Sequence, residues 1–178
     1  MKIIRLTVDG ITTIMLSGFQ HCQLITKMYK KINHQWELTD TSIMRQWNAE
    51  KRVWISQYLR QQIERGGAVI AALEANELIG FGALDGYLFG NTAKYANLTM
   101  LFVDDRWKRN GIGSKIFDEI CKHAEGMKAD KLFISAIPAV ETVDFYLHIG
   151  CQDANEIVPE YVDTDQDRYL EFLLETST

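Results

Sequence analysis

Apolar residues change their period several times along this chain, and each change marks an element. Lys2 to Thr7 alternates weakly and predicts a first strand, closed by Asp9-Gly10. From Gly18 to Arg65 the pattern predicts helices, because Leu24, Met28 and Ile32 recur every four residues and so do Ile55, Leu59 and Ile63. The polar stretch His34 to Asp40 reads as the loop between them, with Thr39 or Asp40 capping the second helix. Gly66-Gly67 ends that helix, since glycine accepts the left-handed position that follows a helix.

After Gly67 the texture becomes β-like. Ala68 to Ala75 and Glu77 to Leu84 are apolar runs separated only by Asn76 and its neighbours, which predicts a hairpin. Tyr95 to Val103 is apolar on both faces, as a central strand requires. Gly111 to Glu125 is an amphipathic helix carrying Ile112, Ile116, Ile120 and Ala124 on one face. Lys131 to Ala136 is a further buried strand, Thr142 to Ile149 a short helix ended by Gly150, and the tail, ending in Arg168 to Leu174, supplies one or two closing strands. There is no repeat, linker or low-complexity segment. The expectation is one mixed α/β domain over 1–178, with a helical region at 10–66 and a strand-rich core at 68–174.

Composition adds limits. A chain of 178 residues with 47% hydrophobic and 24% charged residues can bury a core without metals or disulfides. The net charge of −5, without runs of one sign, argues against nucleic acid as a partner. It would suit a cationic amine. Cys22, Cys121 and Cys151 form no CxxC pair and no cluster with the four histidines, so reduced thiols and no metal are expected. The N-terminus lacks the pattern of a signal peptide, and no apolar run approaches the roughly 18–20 residues that span a bilayer. A cytoplasmic protein without a membrane partner is expected.

The chemistry concentrates between Leu98 and Phe117. A buried strand there runs into a basic, glycine-containing loop that opens directly into a helix. Such a loop aims free backbone N–H groups at one spot, where the helix dipole adds positive potential and phosphates bind readily. Gly111 and Gly113 leave the backbone approachable, while Lys108 and Arg109 supply counter-charge. The dinucleotide fingerprint fails because Ile116 stands where its third glycine belongs. The P-loop fails because no glycine lies five residues before Gly113.

What remains, Lys108-x-x-Gly111-x-Gly113 after a strand, resembles the pyrophosphate loop of the GNAT superfamily of acyl-CoA N-acyltransferases. Lys108 stands at that family's usual Gln or Arg position, keeping the charge without the guanidinium fork. A second segment, Ala139 to Cys151, is similar to the family's later motif: Phe145, Tyr146 and Gly150 match in place and spacing. Thr142 stands for its alanine and Cys151 for its phenylalanine. Ala139 replaces the Asn or Ser that commonly bonds the cofactor.

The resemblance implies a mostly antiparallel mixed sheet flanked by helices, with a central parallel pair of strands splayed into a slot. It implies that the pantetheine arm of acetyl-CoA lies there against the main chain of Leu101, Phe102 and Val103. An N–H near Leu101 would polarise the thioester carbonyl. The pyrophosphate would meet the segment Lys108, Arg109, Asn110, Gly111, Ile112, Gly113 and Ser114. By the same analogy Tyr146 is the catalytic proton donor to the departing thiolate. No general base stands out: the strand offers Asn97 and Thr99, while Asp85, Asp104 and Asp105 read as solvated turn residues. His148 reads as an exposed helix histidine.

The implied activity is acetyl transfer to a small-molecule or peptide amine. Trp36, Trp47 and Tyr58 are the first candidates for the acceptor wall. A non-catalytic acyl-CoA sensor or interaction module is the alternative, favoured by Ala139 and the missing strand carboxylate. Phe145-Tyr146 and the Gly111/Gly113 loop favour the enzyme. Domains of this kind commonly form homodimers, but no residue here argues for one.

Overall fold

The structure, a computed structural model, describes residues 1–175; the last three of the expected 1–178 domain lie outside the described residues. The elements are β1 (Lys2–Arg5), β2 (Cys22–Ile32), β3 (Gln35–Gln46), α1 (Ala49–Glu64), β4 (Ala68–Glu74), β5 (Glu77–Phe89), β6 (Tyr95–Val103), α2 (Ile112–Gly126), β7 (Lys131–Ala136), α3 (Val140–His148), β8 (Gln152–Asp153) and β9 (Arg168–Leu173). Seven strands form one sheet in the order β1-β4-β5-β6-β7-β9-β8, while β2 and β3 form a separate two-stranded ribbon. Every pairing in the large sheet is antiparallel except β6 with β7, which are parallel.

The sheet is covered on both faces. Ile55 and Leu59 of α1 pack with Val69, Ala71, Phe81 and Ala83 on one side. On the other, Ile112, Ile116 and Ile120 of α2 pack with Ile70, Ile79, Leu84, Leu98, Leu132 and Ile134, and α3 adds Val143 and Tyr146. The helix and strands expected after Gly67 are therefore present, with β5 running on to Phe89. The first strand ends earlier than expected, at Arg5. No helix among the described residues is long and apolar enough to cross a membrane.

The region before Ala49 corrects the expectation. In place of a helix from Gly18, a helix-to-helix loop and a cap at Thr39 or Asp40, the chain forms the β2–β3 hairpin. The four-residue spacing of Leu24, Met28 and Ile32 is also an even multiple of the strand period, so it fits a strand face as well as a helix face. The turn decides between them. Asn33 (φ 49°) and His34 (φ 67°) are both left-handed, the two-residue geometry that matches the twist of a hairpin. Ala75 (φ 47°) and Asn76 (φ 66°) make the same turn between β4 and β5. The 10–66 region thus holds a hairpin and one helix, α1, which starts at Asn48, whose side chain accepts from Lys51 N–H at 2.8 Å.

One buried carboxylate fastens the parallel pair. Glu171 of β9 is 1% exposed and accepts from Lys131 Nζ (2.8 Å), Tyr95 Oη (2.7 Å), Gln152 Nε2 (3.0 Å) and both nitrogens of Asn155 (3.2 and 2.9 Å). Tyr95 and Lys131 are the residues at which β6 and β7 begin to pair. Burial pushes the Glu171 pKa up, but the bonds from Lys131, Tyr95 and Gln152 outweigh it and hold the group below the usual carboxylate range. Its stabilising contribution is present above the unfolded carboxylate value and is lost as pH falls through the lowered one. Glu171→Gln removes the charge beneath Lys131 and is expected to cost about 3 kcal/mol, read as a lower urea midpoint at pH 7 with an unchanged slope. The gap to the wild type should narrow in acid.

Candidate active site

The pairing of β6 with β7 covers only Tyr95–Leu98 against Lys131–Ile134. Beyond that β6 stays on β5 and β7 stays on β9, so a gap opens between them. The divergence begins at Thr99. Ala83 faces Met100 while Leu84 faces Leu98, which leaves Thr99 as an extra residue of β6. Such a bulge bends its strand. Thr99 Oγ1 donates to Ala83 O at 3.2 Å and holds the bulge against β5. A Cβ built on Gly82 would lie 3.4 Å from Met100 O, and one built on Gly80 would lie 3.2 Å from Phe102 O, so these carbonyls face β5. By the alternation of a strand, the main-chain groups of Leu101 and Val103 face the gap.

Past Val103 the chain is stapled. Asp104 is fully buried and accepts from Gln20 N–H (2.8 Å), Arg106 N–H (3.0 Å) and the Arg106 guanidinium (2.9 and 2.8 Å). Burial raises its pKa, but these donors win and hold it below the usual range. Asp105 accepts from Cys22 N–H at 2.5 Å and pairs with Lys108 Nζ at 2.5 Å. Neither is the solvated turn residue expected, and neither is free to act as a base. Asp85 is half-buried and accepts from Gly86 N–H at 2.7 Å.

The loop Lys108–Gly111 then turns into α2. Arg109 (φ 64°) and Gly111 (φ 71°) are left-handed on either side of Asn110, whose Nδ2 donates to Trp107 O (3.1 Å) and Lys108 O (3.2 Å). Left-handed residues interleaved in this way gather N–H groups into an anion-holding concavity. The first-turn N–H groups of Ile112, Gly113 and Ser114 add to it, because a helix start has no internal acceptors for them. Gly111 and Gly113 differ in role. A Cβ on Gly111 would meet open space, so glycine is required there by backbone angle. One on Gly113 would lie 3.2 Å from the Phe145 ring, so that glycine lets α2 close on α3.

Tyr146 is 7% exposed, with the rings of Phe145 at 5.2 Å and Phe117 at 6.4 Å. It belongs to the same buried cluster as Leu98 and Ile134, the last pair before the strands part. Burial, then the neighbouring Cys151 thiol, pushes its pKa up, with no hydrogen bond among the causes. The phenol therefore keeps its proton at neutral pH. His148 is exposed, as expected.

The ribbon crosses the gap. At one end Cys22 N–H bonds Asp105, just after β6; at the other, Tyr29 N–H donates to Pro138 O at 2.7 Å and Met28 bridges Ala139, just after β7. Tyr29 Oη also donates to Asp144 of α3 at 2.7 Å. Arg168 stacks on Tyr29 (5.1 Å) and Trp36 (4.8 Å) while pairing with Asp153. Trp36 is thus an anchor of the ribbon. Trp47, 8% exposed among Phe19, Phe81 and Phe102, is core. Of the three expected wall residues, Tyr58 alone borders the bulge: it stacks on Trp54 (5.4 Å), and burial pushes its pKa up against a hydrogen bond with Thr99. Sequence reasoning missed His21, which is buried against Trp47 and Phe102. Nothing in its sequence neighbourhood marks it.

The acetyltransferase (GNAT) domain model matches residues 38–160, more than half of the chain. The chain belongs to the GNAT acetyltransferase family. Among solved structures, nourseothricin acetyltransferase is similar over 97% of both chains, with a TM-score of 0.70 and 9% identity. A streptothricin acetyltransferase candidate from Bacillus anthracis str. Ames, in complex with acetyl coenzyme A, aligns over 97% of this chain and 99% of its own, with a TM-score of 0.64 and 17% identity. The PaiA N-acetyltransferase of Thermoplasma acidophilum, in complex with coenzyme A, covers 97% and 98% with a TM-score of 0.61 and 14% identity. No curated protein matches the chain. At these identities the solved structures show a shared fold.

Two glycine substitutions should separate packing from backbone angle. Gly113→Val drives a side chain into Phe145 and is expected to lower the melting temperature by several degrees with or without ligand. Gly111→Ala meets no atom and should cost only about 1–2 kcal/mol for a left-handed alanine. Thermal melts of the two variants check the order.

Proposed function

We propose that this GNAT protein transfers the acetyl group of acetyl-CoA to a primary amine. The observation that carries the reading is the gap between β6 and β7, lined by the main chain of Leu101 and Val103 and leading to the N–H loop at the start of α2. A pantetheine arm bonds in such a gap as an added strand does, and the pyrophosphate accepts from Arg109 to Ser114. Lys108 and Arg109 supply counter-charge. We read residues 1–178 as one domain, with 68–174 as its cofactor-binding core and 10–66 on the acceptor side.

In the transfer the neutral amine attacks the thioester carbonyl, whose developing negative charge is met by the main-chain N–H near Leu101. The C–S bond breaks as the amide forms. The amine nitrogen gives up a proton to solvent, and the thiolate takes one from Tyr146, which regains it from solvent. On the acceptor side Trp54 and Tyr58 stack on each other, Lys51 Nζ lies 3.9 Å over the Trp54 ring, and Asp85, Asp163 and Arg65 all act on the Tyr58 phenol. Nourseothricin and streptothricin acetyltransferases share the fold, so amine antibiotics join polyamines and amino acids in the acceptor panel. The bonds that occupy Asp104 and Asp105 leave the non-catalytic acyl-CoA module as a second reading.

Acetyl-CoA is expected to raise the melting temperature by mass action, and Gly111→Val, a β-branched residue forced to left-handed angles, should abolish the shift. A wild-type protein that melts identically with and without acetyl-CoA would sink the cofactor assignment. Thiol release across the amine panel separates enzyme from sensor, which would bind and turn nothing over.

With an accepted amine, Tyr146→Phe should lower single-turnover acetyl transfer by about 10²–10⁴-fold and change acetyl-CoA affinity little. Full single-turnover rates in that variant would leave Tyr146 a core aromatic.

A further inference from the structure

His21 lies where the ribbon begins its crossing. The N–H groups of its neighbours Gln20 and Cys22 bond Asp104 and Asp105, and its own carbonyl accepts from Trp47 N–H at 3.1 Å. The backbone is therefore pinned on both sides to the segment leaving β6. The ring packs on Trp47 (4.6 Å between centroids) and edge-on to Phe102 (5.2 Å). Phe102 and Trp47 also touch Phe81 of β5, and Trp47 touches Phe19, whereas His21 touches neither. Its neighbours' bonds to Asp104 and Asp105 put it at the β6 limb, where the ribbon sets out across the gap.

Its Nδ1 is buried without a partner among the described residues, in a side chain only 9% exposed. A buried ring nitrogen left unbonded is costly. Burial, then Lys108 and Arg45, push its pKa down to about 4 against the opposing pull of Asp105. The ring is uncharged at neutral pH and offers one donor and one acceptor. That is the complement of an amide.

We propose that His21 is a ligand of the pantetheine arm, hydrogen-bonding an amide of the arm from the α1 face of the sheet as it passes Phe102. The inference rests on reading the gap as the acetyl-CoA slot. If the thioester lies at Leu101, one residue along β6 toward the loop is a rise of about 3.4 Å. That step carries the arm from its sulfur toward its first amide. A neutral ring suits this uncharged stretch, while Lys108 and Arg109 stand further along for the phosphates.

Calorimetric titration of wild type, His21→Leu and His21→Gln with acetyl-CoA and with adenosine 3′,5′-bisphosphate tests the proposal. The bisphosphate keeps the phosphate and adenine ends and lacks the arm. His21→Leu should bind acetyl-CoA about tenfold more weakly, the worth of one hydrogen bond, and bind the bisphosphate as the wild type does. His21→Gln, which can still bond an amide, should lose no more than about threefold. Unchanged acetyl-CoA affinity in His21→Leu overturns the proposal. Equal weakening of both ligands overturns it too, since the ring would then only shape the site. Wild-type protein that binds neither ligand overturns the slot reading itself, and the role of His21 falls with it.

Discussion

The structure turns on a shortage of partners for β6. Its first four residues pair with β7, but the bulge at Thr99 bends the strand, and Leu101 and Val103 face no neighbouring strand. Main-chain N–H and C=O groups inside a fold require partners, and a strand edge left open in mid-sheet invites one. The parallel pair has to be fastened firmly at its other end for such a gap to persist, and Glu171 does this with donors from β6, β7 and the segment before β9.

The same constraint explains the ribbon. Two limbs that diverge need something to fix their separation. β2 spans it, bonded to Asp105 at the β6 limb and to Pro138 and Ala139 at the β7 limb. Ala139, 1% exposed, bridges Met28 of the ribbon and so belongs to the contact that fixes the β7 limb.

Legibility in the sequence followed how local each signal was. From Gly67 onward the elements could be read because hairpin turns, helix starts and buried strands announce themselves within a few residues: Asn76, Gly111 and the run Tyr95–Val103 each did so. Leu24, Met28 and Ile32 misled because four is a multiple of two, and the Asn33-His34 turn that follows them was the overlooked clue. The glycine loop and Tyr146 were legible only through resemblance. His21, and the burial of Asp104, could not be read locally. Both depend on contacts between residues about 80 positions apart, such as Gln20 with Asp104.

Charge is distributed around the gap in a way that one net value conceals. The loop side presents Lys108, Arg109 and the N–H groups of α2, suited to phosphates. Inside, burial removes charge: His21 is held neutral with its pKa down at about 4, and Tyr146 is held in its protonated form. Asp104, the carboxylate nearest the strand end, is neutralised by Arg106. Beyond the bulge, burial, then Asp85 and Asp163, push the Tyr58 pKa up, while Thr99 and Arg65 pull it down. On the acetyl-transfer reading, an uncharged passage beyond a basic loop orients the cofactor, because its phosphates are drawn to the loop end alone. Attraction cannot extend into the passage itself. An ammonium gains nothing from uncharged surroundings and sheds its proton more readily as it leaves water. On the proposed mechanism, the same desolvation that keeps the proton on Tyr146 also favours the free amine, and no dedicated base is needed.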